Sequence, residues 1–361
     1  MNLHIVPDNV FINKFYDNLE ELGLTNNNKI VARTQGALKF IKRPVLSAKL
    51  YSKDFDNLVG DTHAYDNVFI HQFSPLLYRW VAKNHFRKLH WMSWGADIYN
   101  LPALDHGCYE PETYARYVKG GVSLHDWLYR LKVKFTQSPF ESKAYSKVSN
   151  LLTWMDSEFK FAKDNLPSLN AAHQFFFYEN QMPYQQLDNV VGTIAEQKRS
   201  PLLIVGNSAS HALNHLDAVR SLQTQQVKAD LLIPISYGDK KYASFLKGNL
   251  SFYTGGEITY QENYLDFDGY LKLLSTSDGL VMNNIRPQGY GNIFMMMYLG
   301  KKVYLNPKNI SIPDLNANNL KWISIDDVAT TLNQSAISNK QSVRELLSHE
   351  RVLEIYPKYF A

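Results

Sequence analysis

The chain of 361 residues has little cysteine and no long apolar run. Its single cysteine, Cys108, excludes a disulfide framework and a cysteine-based zinc cluster, and it is typical of a reducing compartment. Nowhere do about 18 apolar residues follow one another, so the sequence predicts no bilayer-spanning helix. Residues 1–8 also lack the basic start and the apolar run of a secretory signal. These absences favour a cytoplasmic protein.

The chain also has only a small excess of positive over negative charge. The 38 Lys and Arg residues exceed the 34 Asp and Glu residues by a formal net charge of only +4. Because a concentrated basic stripe usually accompanies nucleic-acid binding, no nucleic-acid partner is expected. Aromatic residues, by contrast, make up 13% of the chain. They fit either a tyrosine-rich core or stacking surfaces for sugars and bases.

Short apolar runs alternate with amphipathic helical patterns along the chain, which predicts parallel sheets covered by helices on both faces. The alternation pauses in a polar stretch at 180–200, a plausible linker, and then restarts. The predicted class is therefore α/β, with two Rossmann-like domains that face each other across a cleft. We expect the first domain at 1–188, the second at 189–340, and a C-terminal helix at 341–361 that packs back on the first domain.

Two glycine-containing loops follow predicted strands of the second domain. Gly206, Asn207 and Ser208 precede a helix, where backbone N–H groups and the helix dipole suit a phosphate, although Ser208 as a plain helix cap is the alternative. The loop 286–292 combines Arg286, which can pair with phosphate, with two glycines that allow close backbone approach. It lacks the ending of a P-loop and the spacing of a dinucleotide fingerprint, so a generic turn is its alternative. Two such loops in one domain favour a diphosphate ligand.

In the first domain, Asp97 and His71 follow predicted strands. Asp97 is placed either to bind or deprotonate a hydroxyl group or to cap the next segment. His71 is either a core histidine or a ligand-binding residue. Two Asp-Phe-Asp patterns occur, at 54–56 and 266–268, and a metal-bridged nucleotide sugar would need such carboxylates at the end of a strand. Asp266 and Asp268 instead open a predicted helix, where capping is natural, so no metal site is predicted.

Basic and aromatic residues are interleaved at 78–91 and at 114–134. Each stretch is either a solvated helix face or a docking surface for an anionic membrane, where lysine and arginine meet headgroups and aromatic rings lie at the interface.

Between about residues 67 and 306 the sequence resembles the TDP-N-acetylfucosamine:lipid II N-acetylfucosaminyltransferases, glycosyltransferase family 56, which act in enterobacterial common antigen assembly. The resemblance depends on the order and spacing of separate stretches rather than on any one of them. These stretches are 69–75, 94–101, 203–208, His215, 267–274, Arg286, 288–291 and 300–306.

The resemblance implies a GT-B architecture without a cofactor or an obligatory metal, in which the carboxyl-terminal domain holds the nucleotide sugar. It implies a hexosyltransferase that moves a 4-acetamido-4,6-dideoxy-hexose from a dTDP-sugar to a polyprenyl-diphosphate-linked saccharide. The product would enter a surface polysaccharide such as enterobacterial common antigen or an O-antigen-like lipopolysaccharide. Such an enzyme works peripherally on the cytoplasmic face of the inner membrane.

On this basis Arg286 is expected to offset charge on the leaving dTDP. Asp97 is expected to face the acceptor hydroxyl, as a general base if configuration inverts and as an orienting group if it is retained. The expected donor-binding residues are Gly206, Asn207, Ser208, His215, Tyr237, Gly238, Tyr270, Gln288, Gly289, Tyr290, Gly291 and Asn292. The expected acceptor-binding residues are His71, Trp94, Gly95 and Tyr99. A nucleotide-sugar epimerase and a non-catalytic glycan- or nucleotide-binding module are the alternative functions.

Overall fold

A computed structural model describes residues 1–101, 108–119, 124–178, 182–191, 200–335 and 337–361. The chain forms two compact units. Unit 1 comprises Met1–Leu104, Ser123–Glu179 and Ser348–Ala361, and unit 2 comprises Asp105–Val122 and Asn180–Leu347. The units therefore divide at 179/180 rather than at the predicted 188/189, and residues 105–122 belong to unit 2 although they come from the first half of the chain.

Unit 1 is built on a parallel sheet. Its strands are β1 (Asn2–Val6), β2 (Asn28–Ala32), β3 (Leu46–Ser47), β4 (Asn67–His71), β5 (Leu89–Met92), β6 (Asn150–Thr153) and β7 (Ala172–Phe175). They are arranged in the order β3-β2-β1-β4-β5-β6-β7, and neighbouring strands pair in parallel. Strand β1 is buried along its whole length, as expected for the centre of a sheet that is covered on both faces.

Unit 2 contains a second parallel sheet. Its strands are β8 (Leu202–Val205), β9 (Asp230–Pro234), β10 (Ile258–Gln261), β11 (Gly279–Met282), β12 (Lys302–Leu305) and β13 (Ile323–Ser324). They are arranged in the order β10-β9-β8-β11-β12-β13, again with parallel pairing. Strands β11 and β12 are completely buried runs of mostly apolar residues. The prediction of two parallel-sheet α/β domains is confirmed.

The helices connect successive strands. The α-helices are α1 (Phe11–Glu21), α2 (Lys53–Val59), α3 (Tyr78–Lys83), α4 (Ala96–Tyr99), α5 (Pro111–Thr113), α6 (Leu124–Thr136), α7 (Glu141–Tyr145), α8 (Asp156–Asn165), α9 (Tyr184–Val191), α10 (His215–Thr224), α11 (Lys240–Asn249), α12 (Phe267–Thr276), α13 (Tyr290–Tyr298), α14 (Ile312–Ala317), α15 (Val328–Thr331), α16 (Lys340–Leu346) and α17 (His349–Phe360). A π-helix, Tyr114–Val118, follows α5. Short 3-10 helices lie at Thr25–Asn27, Thr62–Ala64, Pro75–Leu77, Ser138–Phe140, His211–Leu213 and Ile325–Asp327. No helix in these described ranges is long and apolar enough to cross a membrane.

The last helix of the chain belongs to unit 1. Phe360 of α17 packs edge-on against Phe15 of α1, with ring centroids 5.2 Å apart. Both side chains are almost fully buried, so α17 contributes to the core beside β1.

Two helices differ from the sequence-based prediction. The pattern of the basic stretch 122–147 predicts a single helix, but the structure interrupts it after α6, because Pro139 cannot continue the hydrogen-bond pattern and a 3-10 turn takes its place. The sequence also predicts a helix over roughly 209–223, but α10 begins only at His215, because Asn214 adopts the left-handed conformation (φ 49°) that ends the preceding 3-10 helix. The predicted linker 180–200 contains α9 and lies otherwise mostly outside the described residues.

Candidate nucleotide-sugar site

The carboxyl ends of β8 and β11 lie side by side at the centre of the unit 2 sheet. From β8 the chain continues to β9 and β10 on one side, and from β11 it continues to β12 and β13 on the other. Loops that leave such a pair of strands diverge, and the crevice between them is where open α/β sheets hold ligands. The loops that leave these two strands contain the two predicted phosphate-binding clusters, Gly206–Ser208 and the start of 286–292.

The two loops are in contact. The Gly206 N–H donates to the carbonyl of Val281, at 2.8 Å. Gly289 has a φ of 71°, and a Cβ atom there would lie 3.0 Å from Asn207 Oδ1 and 2.6 Å from Met282 Cε. Asn207 is buried, and its Oδ1 atom has no hydrogen-bond partner within the described part of the chain. The structure therefore brings the two predicted clusters together and directs an unsatisfied acceptor between them.

His215 lies directly behind the Gly206 turn. Gly206 has a φ of 73°, and a Cβ atom there would lie 2.3 Å from His215 Nε2. His215 is completely buried, and neither ring nitrogen has a hydrogen-bond partner among the described residues. Burial lowers the pKa of His215 to about 3, so the ring is neutral at physiological pH. It therefore cannot attract a phosphate by charge, and its position makes it a support for the turn.

Arg286 supplies positive charge beside the same turn. Its Nε and Nη2 atoms donate to Gln288 Oε1, at 3.3 and 3.2 Å. The Ser210 hydroxyl lies 3.5 Å from that same oxygen. Arg286 is only partly buried, and a guanidinium is a group that forms charge-assisted hydrogen bonds to anions.

A cavity of about 180 Å³ adjoins the two loops. Aromatic rings, amides and small side chains form its wall, and none of the lining residues carries a charge. The lining residues are Asn207, Pro234, Ser236, Tyr237, Gln261, Asn263, Tyr264, Leu265, Phe267, Tyr270 and Asn292. Asn207 Nδ2 donates to the Tyr237 hydroxyl, and the Tyr270 hydroxyl donates to Asn292 Oδ1, both at 2.8 Å. A wall of this kind suits a nucleobase and its sugar, whereas phosphates suit the adjacent loops.

Five of the lining residues have polar or aromatic side chains that the sequence-based prediction missed: Ser236, Gln261, Asn263, Tyr264 and Phe267. Gln261 is the last residue of strand β10, which we did not predict, and Asn263, Tyr264 and Phe267 follow that strand. The signal was present in Ile-Thr-Tyr-Gln, a β-branched and aromatic run after a Gly-Gly pair. Its shortness and its place at the edge of the sheet made the signal weak.

Some predicted donor residues lie outside the cavity wall. Ser208 is buried, and Gly238 pairs with Ala209 in an isolated bridge between the loops after β8 and β9. The Tyr290 hydroxyl is hydrogen-bonded to the hydroxyl of Ser311, and Gly291 lies in the first turn of α13.

In unit 1, Asp97 is an internal acceptor. One carboxylate oxygen accepts from the Phe73 N–H at 2.8 Å and from Trp91 Nε1 at 2.6 Å, and the other accepts from the Trp94 N–H at 2.9 Å. The residue is 5% exposed, and burial raises the pKa of its carboxyl group. Asp97 thus joins the loops after β4 and β5 by capping the backbone N–H groups of Phe73 and Trp94. Its predicted role in catalysis stays a prediction.

His71 has the environment of a core histidine. Its Nε2 lies 3.0 Å from His4 Nδ1, and its Nδ1 is hydrogen-bonded to the hydroxyl of Tyr178. Burial lowers the pKa of His71 well below its usual value. Trp94 packs edge-on against Tyr178, with ring centroids 5.7 Å apart. His71 and Trp94 therefore both contact Tyr178, at the carboxyl edge of the sheet.

The other two predicted acceptor residues pack against α8. A Cβ atom at Gly95 would lie 3.3 Å from Glu158 Oε1. Tyr99 is 1% exposed, and its ring lies 5.1 Å from that of Phe161. Their predicted contact with an acceptor stays a prediction.

The two basic and aromatic stretches differ in exposure. In the first stretch Tyr78, Trp80 and Trp91 are buried and Phe86 is partly buried. In the second stretch Leu128 of α6 is 53% exposed, and Phe135, one residue beyond that stretch on the same helix, is 73% exposed. The two Asp-Phe-Asp patterns both lie at helix starts, where Asp266 caps α12 by accepting from the Gly269 N–H at 2.8 Å.

The comparisons with known proteins point to glycosyl transfer. The family model for 4-alpha-L-fucosyltransferases, glycosyl transferase group 56, matches residues 129–360. A trehalose-6-phosphate synthase structure has a TM-score of 0.59 at 10% identity, covering 99% of this chain and 98% of that one. Sucrose-phosphate synthase from Thermosynechococcus elongatus has a TM-score of 0.56 at 11% identity, with coverages of 99% and 98%. Anabaena HepE, solved in complex with UDP and glucose, has a TM-score of 0.52 at 12% identity, with coverages of 100% and 95%. The fold is therefore that of the GT-B glycosyltransferases.

Proposed function

Since the chain belongs to the 4-alpha-L-fucosyltransferase family of glycosyl transferase group 56, we propose that it transfers a 4-acetamido-4,6-dideoxy-hexose from a dTDP-sugar to a polyprenyl-diphosphate-linked saccharide. The family makes the chain a hexosyltransferase, which favours glycosyl transfer over the epimerase and the non-catalytic module. The donor sugar, the acceptor and the role in surface-polysaccharide assembly are the parts that we propose.

One observation carries the donor side of the proposal. A neutral aromatic cavity adjoins two glycine loops and Arg286 at the point where the strand order of the unit 2 sheet reverses. We place the base and deoxyribose among Tyr237, Tyr264 and Tyr270, and the diphosphate against the loops at Gly206 and Gly289. In this placement the anion meets the N-terminus of α13 at Gly289, and a helix N-terminus is a favourable site for phosphate.

Arg286 acts on the leaving group in this proposal. As the bond between sugar and phosphate breaks, negative charge grows on the dTDP oxygen. A guanidinium held in place by Gln288 stabilises that charge without having to reorganise during the reaction. Asn207 lines the cavity and donates from Nδ2 to the Tyr237 hydroxyl, so it holds a ring that we place beside the base.

The acceptor is assigned to unit 1 in this proposal. Asp97 is our candidate carboxylate at the carboxyl edge of its sheet. Because its oxygens already accept three hydrogen bonds, it contributes by holding the Phe73 and Trp94 loops. To act as a general base it must exchange one of these bonds for the acceptor hydroxyl.

We also propose that α6 contacts the anionic inner face of the bacterial inner membrane. Leu128 and Phe135 lie seven residues apart on one helix face, and exposed Lys132 and Lys134 lie near them. Exposed apolar side chains beside lysines fit an anionic bilayer surface. Flotation with anionic and with neutral liposomes tests this part. We expect Phe135→Ser to weaken flotation with the anionic liposomes, and an unchanged result would contradict it.

Titration calorimetry of the full chain with dTDP, UDP, GDP and ADP, with and without EDTA, tests the donor. We expect dTDP to bind most tightly and EDTA to have no effect. A preference for UDP or GDP would retain glycosyl transfer and remove the dTDP-sugar, and binding of none of the four would remove the donor site. Transfer from the preferred nucleotide's sugar to a polyprenyl-diphosphate saccharide then tests the acceptor.

A further inference from the structure

A segment from the first half of the chain, 108–119, folds into unit 2 beside the candidate donor loops, and we name it the strap. The Tyr117 hydroxyl donates to Asp239 Oδ2 at 2.6 Å. The ring of Tyr109 lies 5.4 Å from that of His211, which belongs to the loop after β8. The strap is therefore attached close to residues that the sequence-based prediction assigned to the donor.

Glu110 of the strap closes a ring of hydrogen bonds with three asparagines. Its backbone N–H donates to Asn214 Oδ1 at 3.0 Å, and Asn214 Nδ2 donates to the carbonyl of Asn283 at 3.0 Å. Asn306 Nδ2 donates both to Asn283 Oδ1 and to Glu110 Oε1, each at 2.8 Å. Lys308 Nζ lies 3.0 Å from the same carboxylate oxygen.

Each asparagine of the ring follows a different strand. Asn214 ends the loop after β8 and directly precedes His215, Asn283 follows β11 in the loop that leads to Arg286, and Asn306 follows β12. All three are nearly fully buried, at 0%, 4% and 3% exposure. Because a buried amide that loses its partner costs about 1–3 kcal/mol, the ring resists distortion. It thereby holds the loops after β8 and β11 at one separation.

We propose that Glu110 is a positioning residue of the nucleotide-sugar site, which sets the distance between the two diphosphate loops through Asn214, Asn306 and Asn283. This inference rests on the function proposed above. The ligand class it serves is a nucleoside diphosphate, whose two phosphates need both loops at once.

Glu112, on the same strap, is a matched control. Its carboxylate pairs with Arg220 at 3.0 Å, so it also attaches the strap to unit 2 by an ion pair. Neither Glu112 nor Arg220 belongs to the ring. A general loosening of the strap would affect both glutamates alike, whereas a loss of loop separation would follow Glu110 alone.

The experiment compares Glu110→Ala, Glu110→Gln and Glu112→Ala in the full chain. The probe is whichever of dTDP, UDP, GDP and ADP binds the unmodified chain most tightly. We expect Glu110→Ala to weaken its Kd at least about tenfold, the effect of losing one charge-assisted hydrogen bond. Glu110→Gln retains an oxygen for Asn306 and should restore most of the affinity, and Glu112→Ala should stay within about twofold.

A steady-state measurement separates positioning from stability. Partial unfolding lowers the active fraction and the apparent kcat, whereas displaced loops raise the KM for the donor. We expect Glu110→Ala to raise the donor KM and to leave the acceptor KM unchanged. If Glu110→Ala does not fold, Glu110→Asp replaces it, because aspartate withdraws the carboxylate by one methylene. We then expect the same increase in the nucleotide Kd and in the donor KM.

Unchanged nucleotide affinity in Glu110→Ala or Glu110→Asp, or an equal loss in Glu112→Ala, would overturn the inference. If the unmodified chain binds none of the four nucleotides, the proposed function itself fails and the inference fails with it. The unmodified chain therefore tells the two failures apart.

Discussion

Replacing Gly206 by alanine introduces a methyl group where the structure has no space for one. The new Cβ would lie 2.3 Å from His215 Nε2, and the residue would have to keep a φ of 73°. His215 is completely buried, so its ring cannot swing into solvent to relieve the contact.

Two costs add up in this variant. A non-glycine residue in the left-handed region loses about 1–2 kcal/mol, and forcing extra volume into a packed site costs about 1–3 kcal/mol. We therefore expect Gly206→Ala to lower the free energy of unfolding of unit 2 by about 2–5 kcal/mol. For a domain of this size that corresponds to roughly 5–15 °C in Tm.

Chemical and thermal unfolding of four variants checks this prediction: Gly206→Ala, His215→Ala, the double variant of these two, and Gly291→Ala. Gly291→Ala is the matched control, since a Cβ atom there meets nothing within 4 Å. It should leave the Tm unchanged or raise it slightly, because alanine favours a helix more than glycine does. In the double variant Gly206→Ala/His215→Ala the steric part disappears. We expect a coupling of about 1–3 kcal/mol between the two sites.

The reasoning would be refuted by a Gly206→Ala variant as stable as the unmodified chain. If the effects of Gly206→Ala and His215→Ala simply add in the double variant, the steric contact with His215 contributes nothing. The cost of a non-glycine residue at a positive φ would remain as the explanation.

Three further predictions concern other parts of the molecule. Tyr264→Ala removes a side chain that is 85% exposed, so it should leave the Tm unchanged and weaken nucleotide binding about 5- to 100-fold if the ring stacks on the base; equal binding in calorimetry would argue against the cavity. Asp97→Asn should lower stability by about 1–3 kcal/mol, because one of two oxygens that face N–H donors becomes a donor itself; an unchanged Tm would contradict the buried-acceptor interpretation. Stability should fall as the pH drops below about 6.5, because unfolded histidines take up protons there while His4 and His215, with pKa values of about 4 and about 3, stay neutral in the fold. Each contributes up to about 1.4 kcal/mol per pH unit, and equal free energies of unfolding in urea at pH 7.5 and pH 5 would show the prediction to be wrong.

Local patterns were sufficient for the central strands and for the loops that follow them, whereas the edge strand β10 was missed. The apolar runs 201–206 and 279–282 each predict a strand, and the structure has β8 within the first run and β11 at the second. Buried parallel strands are short apolar runs with helical patterns between them, so a window of a few residues is enough to recognise such a strand. The two loops that we predict to bind a diphosphate were located for the same reason, because each follows such a run.

Tertiary structure decided which side chains meet. Asp97 follows a predicted strand just as a catalytic carboxylate would, yet Trp91 and two backbone N–H groups surround it, and nothing in the local pattern distinguishes the two uses. Tyr264 reaches the cavity because β10 lies at the edge of the sheet, two strands from β8.

Glu110 shows this limit most clearly. It comes from the first half of the chain and lies about a hundred or more positions from the asparagines it contacts. Sequence periodicity reports which face of an element is buried, and it determined the two sheets and their loops. Periodicity does not report the order of the strands in a sheet, nor which distant segments pack together. Contacts such as those of Glu110 with Asn214 and Asn306 form only in the folded chain, and they decide which residues surround the candidate site.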